Sequence, residues 1–201
     1  MVNLDGACIT REQFLLREMR VVCQLWLDGL SNGEIVERVK DGNLIQYPTE
    51  RMVGNITRVC CKRIDAVGSD RIVRAIAGAM PDASAQANLY AMMCTYPLVW
   101  DFMANEVGRR FSELDYHLGQ VEMGAYITRL QTEYDNMAKI ADSTIGKIKR
   151  VLRKCLIECG MLENARSETL IAPFLDLDVR SAIEAKGDYQ ALAAFGVQGA
   201  M

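Results

Sequence analysis

Apolar residues recur three and four positions apart along almost the whole chain, which is the spacing of one buried face of an α-helix. Helix start signals interrupt this pattern. Thr10 with Gln13 and Ser31 with Glu34 have capping-box spacing, and Thr49 precedes a further periodic run. Glycines or prolines follow most of the periodic segments. We therefore predict an all-α fold, a compact helical bundle, whose first helix continues from Thr10 to about residue 27.

One stretch departs from the helical pattern. Residues 161–172 contain two short apolar pieces around a polar turn, and Pro173 closes them, which predicts a small β-hairpin. We expect three regions along the chain. Residues 1–80 form an N-terminal helical region, residues 81–175 form a C-terminal helical region, and residues 176–201 form a short helix followed by a loosely held tail.

Composition excludes several classes of function. No apolar run approaches the ~18–20 residues of a membrane helix, and the N-terminus lacks the pattern of a signal peptide. The seven cysteines have neither disulfide-framework nor zinc-site spacing, and His117 is the only histidine. There is no glycine-rich phosphate loop and no paired catalytic carboxylate setting. We expect a cytoplasmic, non-enzymatic protein with no cofactor, no metal, no membrane contact and no small-molecule substrate.

The segment 141–156, ADSTIGKIKRVLRKCL, carries five bases and one acid in a chain with 26 acids and 23 bases. At 100° per residue its apolar residues occupy one face, and its cations occupy the other without interleaved acids. Cations and the free N–H groups of a helix N-terminus attract phosphate. A solvated cationic face is the alternative interpretation. The residues predicted to contact DNA here are Ser143, Thr144, Lys147, Lys149, Arg150, Arg153 and Lys154.

A second basic island lies in residues 51–80, which hold six bases and two acids. Arg51, Asn55, Arg58 and Lys62 are spaced to form one stripe of a helix. Arginine can pair with guanine and asparagine with adenine in a major groove, so this stripe has the chemistry for base readout. An ordinary exposed stripe is again the alternative.

Each basic helix follows a shorter helix, so we predict two helix-turn-helix-like elements. A hairpin at 161–172 would make the second element a winged helix, whose wing touches the DNA backbone.

The chain resembles the BrxA family of BREX (bacteriophage exclusion) defence systems over roughly residues 12–187. Four segments carry the resemblance: FLLREMRVVCQLWLDGLSNGEIVERVKDGNLIQ, YAMMCTYPLVWDFMANEVG, DSTIGKIKRVLRKCLIECGML and LIAPFLDLDV. The resemblance implies a small all-helical cytoplasmic protein, encoded beside a DNA methyltransferase and other defence components, that binds DNA through helix-turn-helix elements. It implies nothing for the residues after Gly187.

We therefore expect a double-stranded DNA-binding accessory protein of phage defence, with other BREX components such as the methyltransferase as further partners. Phosphate contacts would supply most of its affinity, with a steep dependence on salt. One alternative is a protein–protein adaptor whose basic faces meet acidic surfaces of its partners. A further alternative, RNA binding, is disfavoured because no aromatic stacking residue lies on either basic face.

Overall fold

A computed structural model describes residue 4 and residues 6–197 of the chain. The described residues form helices and no sheet, which confirms the all-α prediction. A 3-10 turn at Cys8–Thr10 precedes the first α-helix, and a π-helical segment at Asp101–Val107 joins the sixth and seventh. The α-helices are α1 (Leu16–Leu27), α2 (Asn32–Gly42), α3 (Glu50–Val67), α4 (Asp70–Ala77), α5 (Pro81–Thr95), α6 (Pro97–Trp100), α7 (Gly108–Ser112), α8 (Gln120–Glu133), α9 (Asp135–Ala138), α10 (Asp142–Glu158), α11 (Leu177–Lys186) and α12 (Tyr189–Ala193).

The starts of α2 and α3 are those predicted from the sequence. The Ser31 hydroxyl accepts a hydrogen bond from the Glu34 main-chain N–H, and the Glu34 carboxylate accepts one from the Ser31 N–H at 2.8 Å. The Thr49 hydroxyl accepts a hydrogen bond from the Met52 N–H at 3.3 Å. These side chains satisfy N–H groups that have no partner inside the helix.

The predicted start of the first helix is wrong. The Thr10 hydroxyl donates to the Ala7 carbonyl at 2.8 Å instead of capping a helix, and α1 begins only at Leu16. Residues 11–15 form a non-helical segment, which we call the strap. Leu15 has a left-handed backbone (φ 54°), which turns the chain into α1. The strap carbonyls bind a side chain of α3, described below, so they are unavailable to a helix.

Helix α5 lies at the centre of the molecule. All eleven residues from 83 to 93 are buried, and α1, α3 and α4 pack against it. A helix covered on all sides needs partners for its polar side chains. Accordingly, the Gln86 amide donates to the Phe174 carbonyl at 2.9 Å, and the Asn88 amide donates to the Phe14 carbonyl at 2.7 Å.

The predicted wing is not formed. Residues 161–172 contain no strand pair; instead, this segment runs beside residues 116–118, with an isolated β-bridge between His117 and Thr169. The Leu118 N–H donates to the Glu168 carbonyl and the Leu170 N–H to the Tyr116 carbonyl, both at 2.7 Å. Because these groups bond to a distant segment, they are not available for a local hairpin.

The expectation of a loosely held tail is also wrong for residues 189–197. Helix α12 packs against α7 and the π-helical segment, and the Leu192 and Phe195 side chains are buried. The Tyr90 hydroxyl donates to the Asp188 carboxylate at the start of this segment. Residues 198–201 lie outside the described part of the chain.

The buried apolar side chains form a hydrophobic core cluster that draws on all three predicted regions, from Leu4 to Phe195. Among the described residues, no helix combines the length and the apolar character needed to cross a bilayer.

Candidate nucleic-acid interface

Helix α10 separates apolar and basic residues, as its periodicity predicts. Ile148, Leu152 and Leu156 are fully buried against the core, whereas Lys147, Arg150 and Lys154 are exposed. Ser143 is exposed and Thr144 is half-buried at the N-terminal end, where no side chain caps the helix. A Cβ placed on Gly146 would meet no atom within 4 Å, so the surface there is open. The exposed part of α10 can therefore approach a large ligand.

The expectation that Arg153 lies on the exposed basic face is wrong. Its side chain is buried, and its guanidinium donates to the carbonyls of Leu118 (3.0 Å), Ala165 (3.3 Å) and Ser167. Segments 115–118 and 165–167 cover this flank of α10. Arg153 thus ties the two segments that replace the predicted wing to α10.

Lys149 lies on the same flank as Arg153, nearer the N-terminus of α10. It is half-buried, and its Nζ lies 3.7 Å from the position of a Cβ added to Gly124 on α8. On a helical wheel, Lys149 and Arg153 lie near one edge of the basic face. In the folded protein, neighbouring segments of the chain cover this edge. The α10 cations that remain exposed are Lys147, Arg150 and Lys154.

These three cations line a groove between α10 and the N-terminal segment, which we call the strap groove. Its described lining residues are Ala7, Thr10, Arg11 and Gln13 on one wall and Thr144, Lys147, Arg150, Val151 and Lys154 on the other. The described lining thus holds four cations and three neutral polar side chains, and it includes no carboxylate. Such a groove is a site of positive potential.

Ion pairing distinguishes this groove from several other basic parts of the surface. Among the described residues, no carboxylate oxygen lies within 4.0 Å of the Arg11, Lys147 or Arg150 side-chain nitrogens, and Lys154 has only a long contact with Glu158 (3.9 Å). In contrast, five cations elsewhere on the described surface are paired with acids at 3.3 Å or less: Lys40, Arg109, Arg110, Arg129 and Arg180. The groove therefore presents positive charge that no carboxylate of its described lining neutralises.

The predicted stripe on α3, which we call the α3 stripe, consists of Arg51, Asn55, Arg58 and Lys62. All four residues are exposed, but they differ in the contacts that they make. Within the described chain, Arg51 and Arg58 make no ion pair, and the Asn55 amide oxygen accepts a hydrogen bond from Arg58 at 3.4 Å. Lys62 is engaged, because its Nζ lies 3.7 Å from the Glu12 carboxylate and 5.0 Å from the centre of the Tyr96 ring. Residues 51–58 are therefore the part of the stripe that is most available to a ligand.

The strap lies between the two basic helices. From α3, the buried Arg63 guanidinium donates to the carbonyls of Glu12 (2.6 Å), Gln13 and Phe14 (2.8 Å). On its other side the strap forms one wall of the strap groove, opposite α10. The Glu12 carboxylate also accepts from the Tyr96 hydroxyl at 2.6 Å. The two basic islands therefore flank one short, anchored segment of chain.

Sequence reasoning missed three residues of this wall as site residues: Thr10 of the 3-10 turn and Arg11 and Gln13 of the strap. They lie in residues 1–50, a stretch with more acids than bases, and their spacing resembled a helix start. Only the packing of the 3-10 turn against α10 brings Arg11 into one groove with Lys147 and Arg150. No local signal in the sequence indicates that contact.

Burial changes the pKa of several titratable side chains. Burial raises the pKa of Cys60 and of Cys155 to about 12 and that of Cys61 to about 11, so these thiols stay protonated at neutral pH. The exposed His117 lies beside Glu122, with 3.4 Å between Nε2 and the carboxylate. Within residues 6–197 and Leu4, no cluster of three histidine, cysteine or acidic side chains could hold a metal ion.

Comparison with known proteins gives consistent results. A protein-family model described as BrxA matches residues 6–187. The chain is 27% identical over 181 residues to a protein of Bacillus cereus (strain H3081.97) named BREX protein BrxA, and the alignment covers 90% of each chain. A crystal structure of an uncharacterised protein from Magnetospirillum magneticum has the same fold, with a TM-score of 0.79, 17% identity, and coverage of 94% of this chain and 96% of that chain.

Proposed function

This chain belongs to the BrxA family of BREX phage-defence systems, and from that membership we propose that it is a non-enzymatic accessory protein that binds double-stranded DNA in the cytoplasm. Exposed cations of α10 contact the phosphate backbone. The α3 stripe, through Arg51, Asn55 and Arg58, contacts base edges in the major groove. Other BREX components, such as the methyltransferase, are the partners that we expect beside DNA.

One observation carries the proposal: exposed cations are gathered in a groove whose described lining has no carboxylate, in a protein with net charge −3. A solvated cationic face needs no such segregation, since paired acids would serve solubility equally well. Segregated positive charge attracts a polyanion and releases the counterions condensed on it. A net negative charge meanwhile limits indiscriminate association with acidic surfaces.

The test is a fluorescence-anisotropy titration of a duplex of about 30 base pairs at several salt concentrations. We expect affinity to fall steeply as salt rises, because each neutralised phosphate contributes about −0.9 to the slope of log K against log salt. Lys147→Glu/Arg150→Glu and Arg51→Glu/Arg58→Glu should each weaken binding while circular dichroism shows a native fold. Arg71→Glu/Arg180→Glu, on α4 and α11, is the charge-matched control. A folded wild type that fails to bind at low salt would refute the proposal.

The second candidate function is an adaptor that joins protein components of the defence system without contacting DNA. A separate observation favours it. Phe174 is 87% exposed and Leu177 is 68% exposed, so two large apolar side chains near the start of α11 face solvent. Exposed apolar surface of this kind often marks a protein contact. If the duplex does not bind, the adaptor function becomes the leading explanation, with the basic surfaces docking on acidic partners.

A further inference from the structure

We propose that the strap groove holds a single phosphodiester strand of the bound duplex, contacted from both walls, and that Arg11 is a DNA-binding residue. This inference rests on the proposed function. It adds a second set of contacts, from a segment outside both predicted helix-turn-helix elements. Gln13 supplies a neutral hydrogen-bond donor to the same strand.

The composition of the two walls supports this assignment. The α10 wall presents Lys147, Arg150 and Lys154, and the strap wall presents Arg11, so a strand between them would meet cations from both sides. Thr10, Gln13 and Thr144 are the neutral polar side chains of the lining. Hydroxyl, amide and guanidinium groups are the usual donors to phosphate and sugar oxygens.

A neighbouring groove provides an internal comparison. It shares Gln13 and Lys154 with the strap groove and continues along the start of α1. Its cations include Arg17 and Arg20, but Glu18 and Glu158 also line it. Arg17 is bound to the Gln46 amide oxygen at 2.6 Å, and Arg20 is bound to the Gly78 carbonyl. Because Glu18 and Glu158 line this neighbouring groove and no carboxylate is among the described lining of the strap groove, the strand runs through the strap groove.

The strap is built to keep its wall in place. A flexible arm would lose conformational entropy on binding, whereas a segment held in the free protein has already lost it. Arg63 binds three consecutive strap carbonyls, and the Asn88 amide binds the Phe14 carbonyl as well. The Arg11 side chain itself remains exposed and, within the described chain, without a carboxylate partner. The backbone is thus fixed while the cation stays available.

The decisive experiment compares Arg11→Ala, Arg11→Lys and Arg71→Ala in the full chain, with the same duplex and salt series. Arg71 is the matched control because it is exposed, lies on α4 and has no described carboxylate partner. We expect Arg11→Ala to weaken binding by about three- to tenfold and to reduce the magnitude of the salt slope by about one. Arg11→Lys should keep most of the affinity and the slope, and Arg71→Ala should bind as the wild type does.

The outcomes separate this inference from the proposed function. If the wild type binds and Lys147→Glu/Arg150→Glu does not, but Arg11→Ala is unchanged, the strap wall is not used and the inference is overturned while DNA binding stands. Equal losses for Arg11→Ala and Arg71→Ala would also overturn it, since they would reflect net charge alone. A wild type that does not bind overturns both.

Discussion

The Arg63 guanidinium is fully buried, and three of its hydrogen bonds go to main-chain carbonyls. Carbonyl oxygens and the Tyr96 hydroxyl surround the planar cation, which lets it remain charged inside the protein. Arg150, by contrast, is exposed on α10, where its Nε donates to the Gly146 carbonyl of the same helix at 3.3 Å. The two arginines therefore have different roles because they differ in burial. Arg63 holds the main chain of the strap in place, whereas Arg150 is available to a ligand.

Replacement of Arg63 by Met should lower the free energy of unfolding by about 3–5 kcal/mol, because it removes a fully buried guanidinium with its hydrogen bonds to three strap carbonyls and to the Tyr96 hydroxyl. Urea denaturation followed by circular dichroism measures the change. Arg38→Met, at an exposed position of α2, is the control and should change the free energy by less than about 0.5 kcal/mol. Similar values for the two variants would show that Arg63 does not anchor the strap.

Buried thiols should make stability depend on pH in the alkaline range. Burial raises the pKa of Cys60 and Cys155 to about 12 in the folded protein, whereas unfolded thiols ionise near about 8.5. The unfolded state therefore loses protons first as pH rises. Stability is fully present below pH ~8.5 and then falls by about 1.4 kcal/mol per pH unit for each such thiol until the folded pKa is reached.

Free energies of unfolding measured between pH 8 and 10.5 under reducing conditions test this. The wild type should lose stability steadily over the interval. Cys60→Ala should start lower, because a buried side chain is truncated, but should lose stability less steeply. Equal slopes for the two proteins would mean that Cys60 is not protected from ionisation.

At the scale of the element, α10 presents three different surfaces around its axis. One face packs into the core, one flank is covered by segments 115–118 and 165–167, and the remainder is open to the strap groove. The covering segments lie before and after α10 in the chain, so helical periodicity alone could not separate the covered cations from the exposed ones. The sequence therefore does not distinguish an arginine on the covered flank from an arginine on the open face.

Arg153→Met should therefore affect mainly stability, and Arg150→Met should affect mainly DNA binding. Arg153→Met removes three hydrogen bonds to main-chain carbonyls and should lower the free energy of unfolding by about 2–4 kcal/mol. Arg150→Met should change stability by less than about 0.5 kcal/mol but reduce the magnitude of the salt slope of DNA binding by about one. Denaturation and anisotropy titrations of both variants check this, and a stable Arg153→Met protein with weakened DNA binding would contradict the assignment.

At the scale of the whole molecule, the C-terminal segment is part of the core although the family match ends at residue 187. Phe195 is 1% exposed, and Tyr189 on the same segment is 52% exposed. Phe195→Ala should lower the free energy of unfolding by about 3–5 kcal/mol, because it leaves a cavity in the core, and Tyr189→Ala should lower it by less than about 1 kcal/mol. Thermal denaturation gives the comparison. A negligible effect of Phe195→Ala would mean that this segment is not docked in solution.

The predicted N-terminal and C-terminal regions share one core, so we expect them to unfold together. Trp26 in α1 and Trp100 in α6 report on the two regions separately. Trp26→Phe and Trp100→Phe variants each leave one fluorescent probe. Their urea midpoints, each compared with the far-ultraviolet circular dichroism of the same variant, should coincide, as expected for a two-state transition. A fluorescence midpoint clearly displaced from the circular dichroism midpoint would show that the regions are independent domains.

The sequence by itself determined the all-α class, the capped starts of α2 and α3 and the amphipathic division of α10. These features depend on residues within a few positions of one another, so local spacing carries the information. Tertiary structure alone decided that residues 11–15 form a strap, that residues 161–172 pair with 116–118, and that Arg153 is covered while Arg11 faces α10. Each of these depends on main-chain or side-chain groups far apart in sequence. A buried carbonyl or guanidinium must find a partner wherever the fold supplies one, and that requirement overrides local preference.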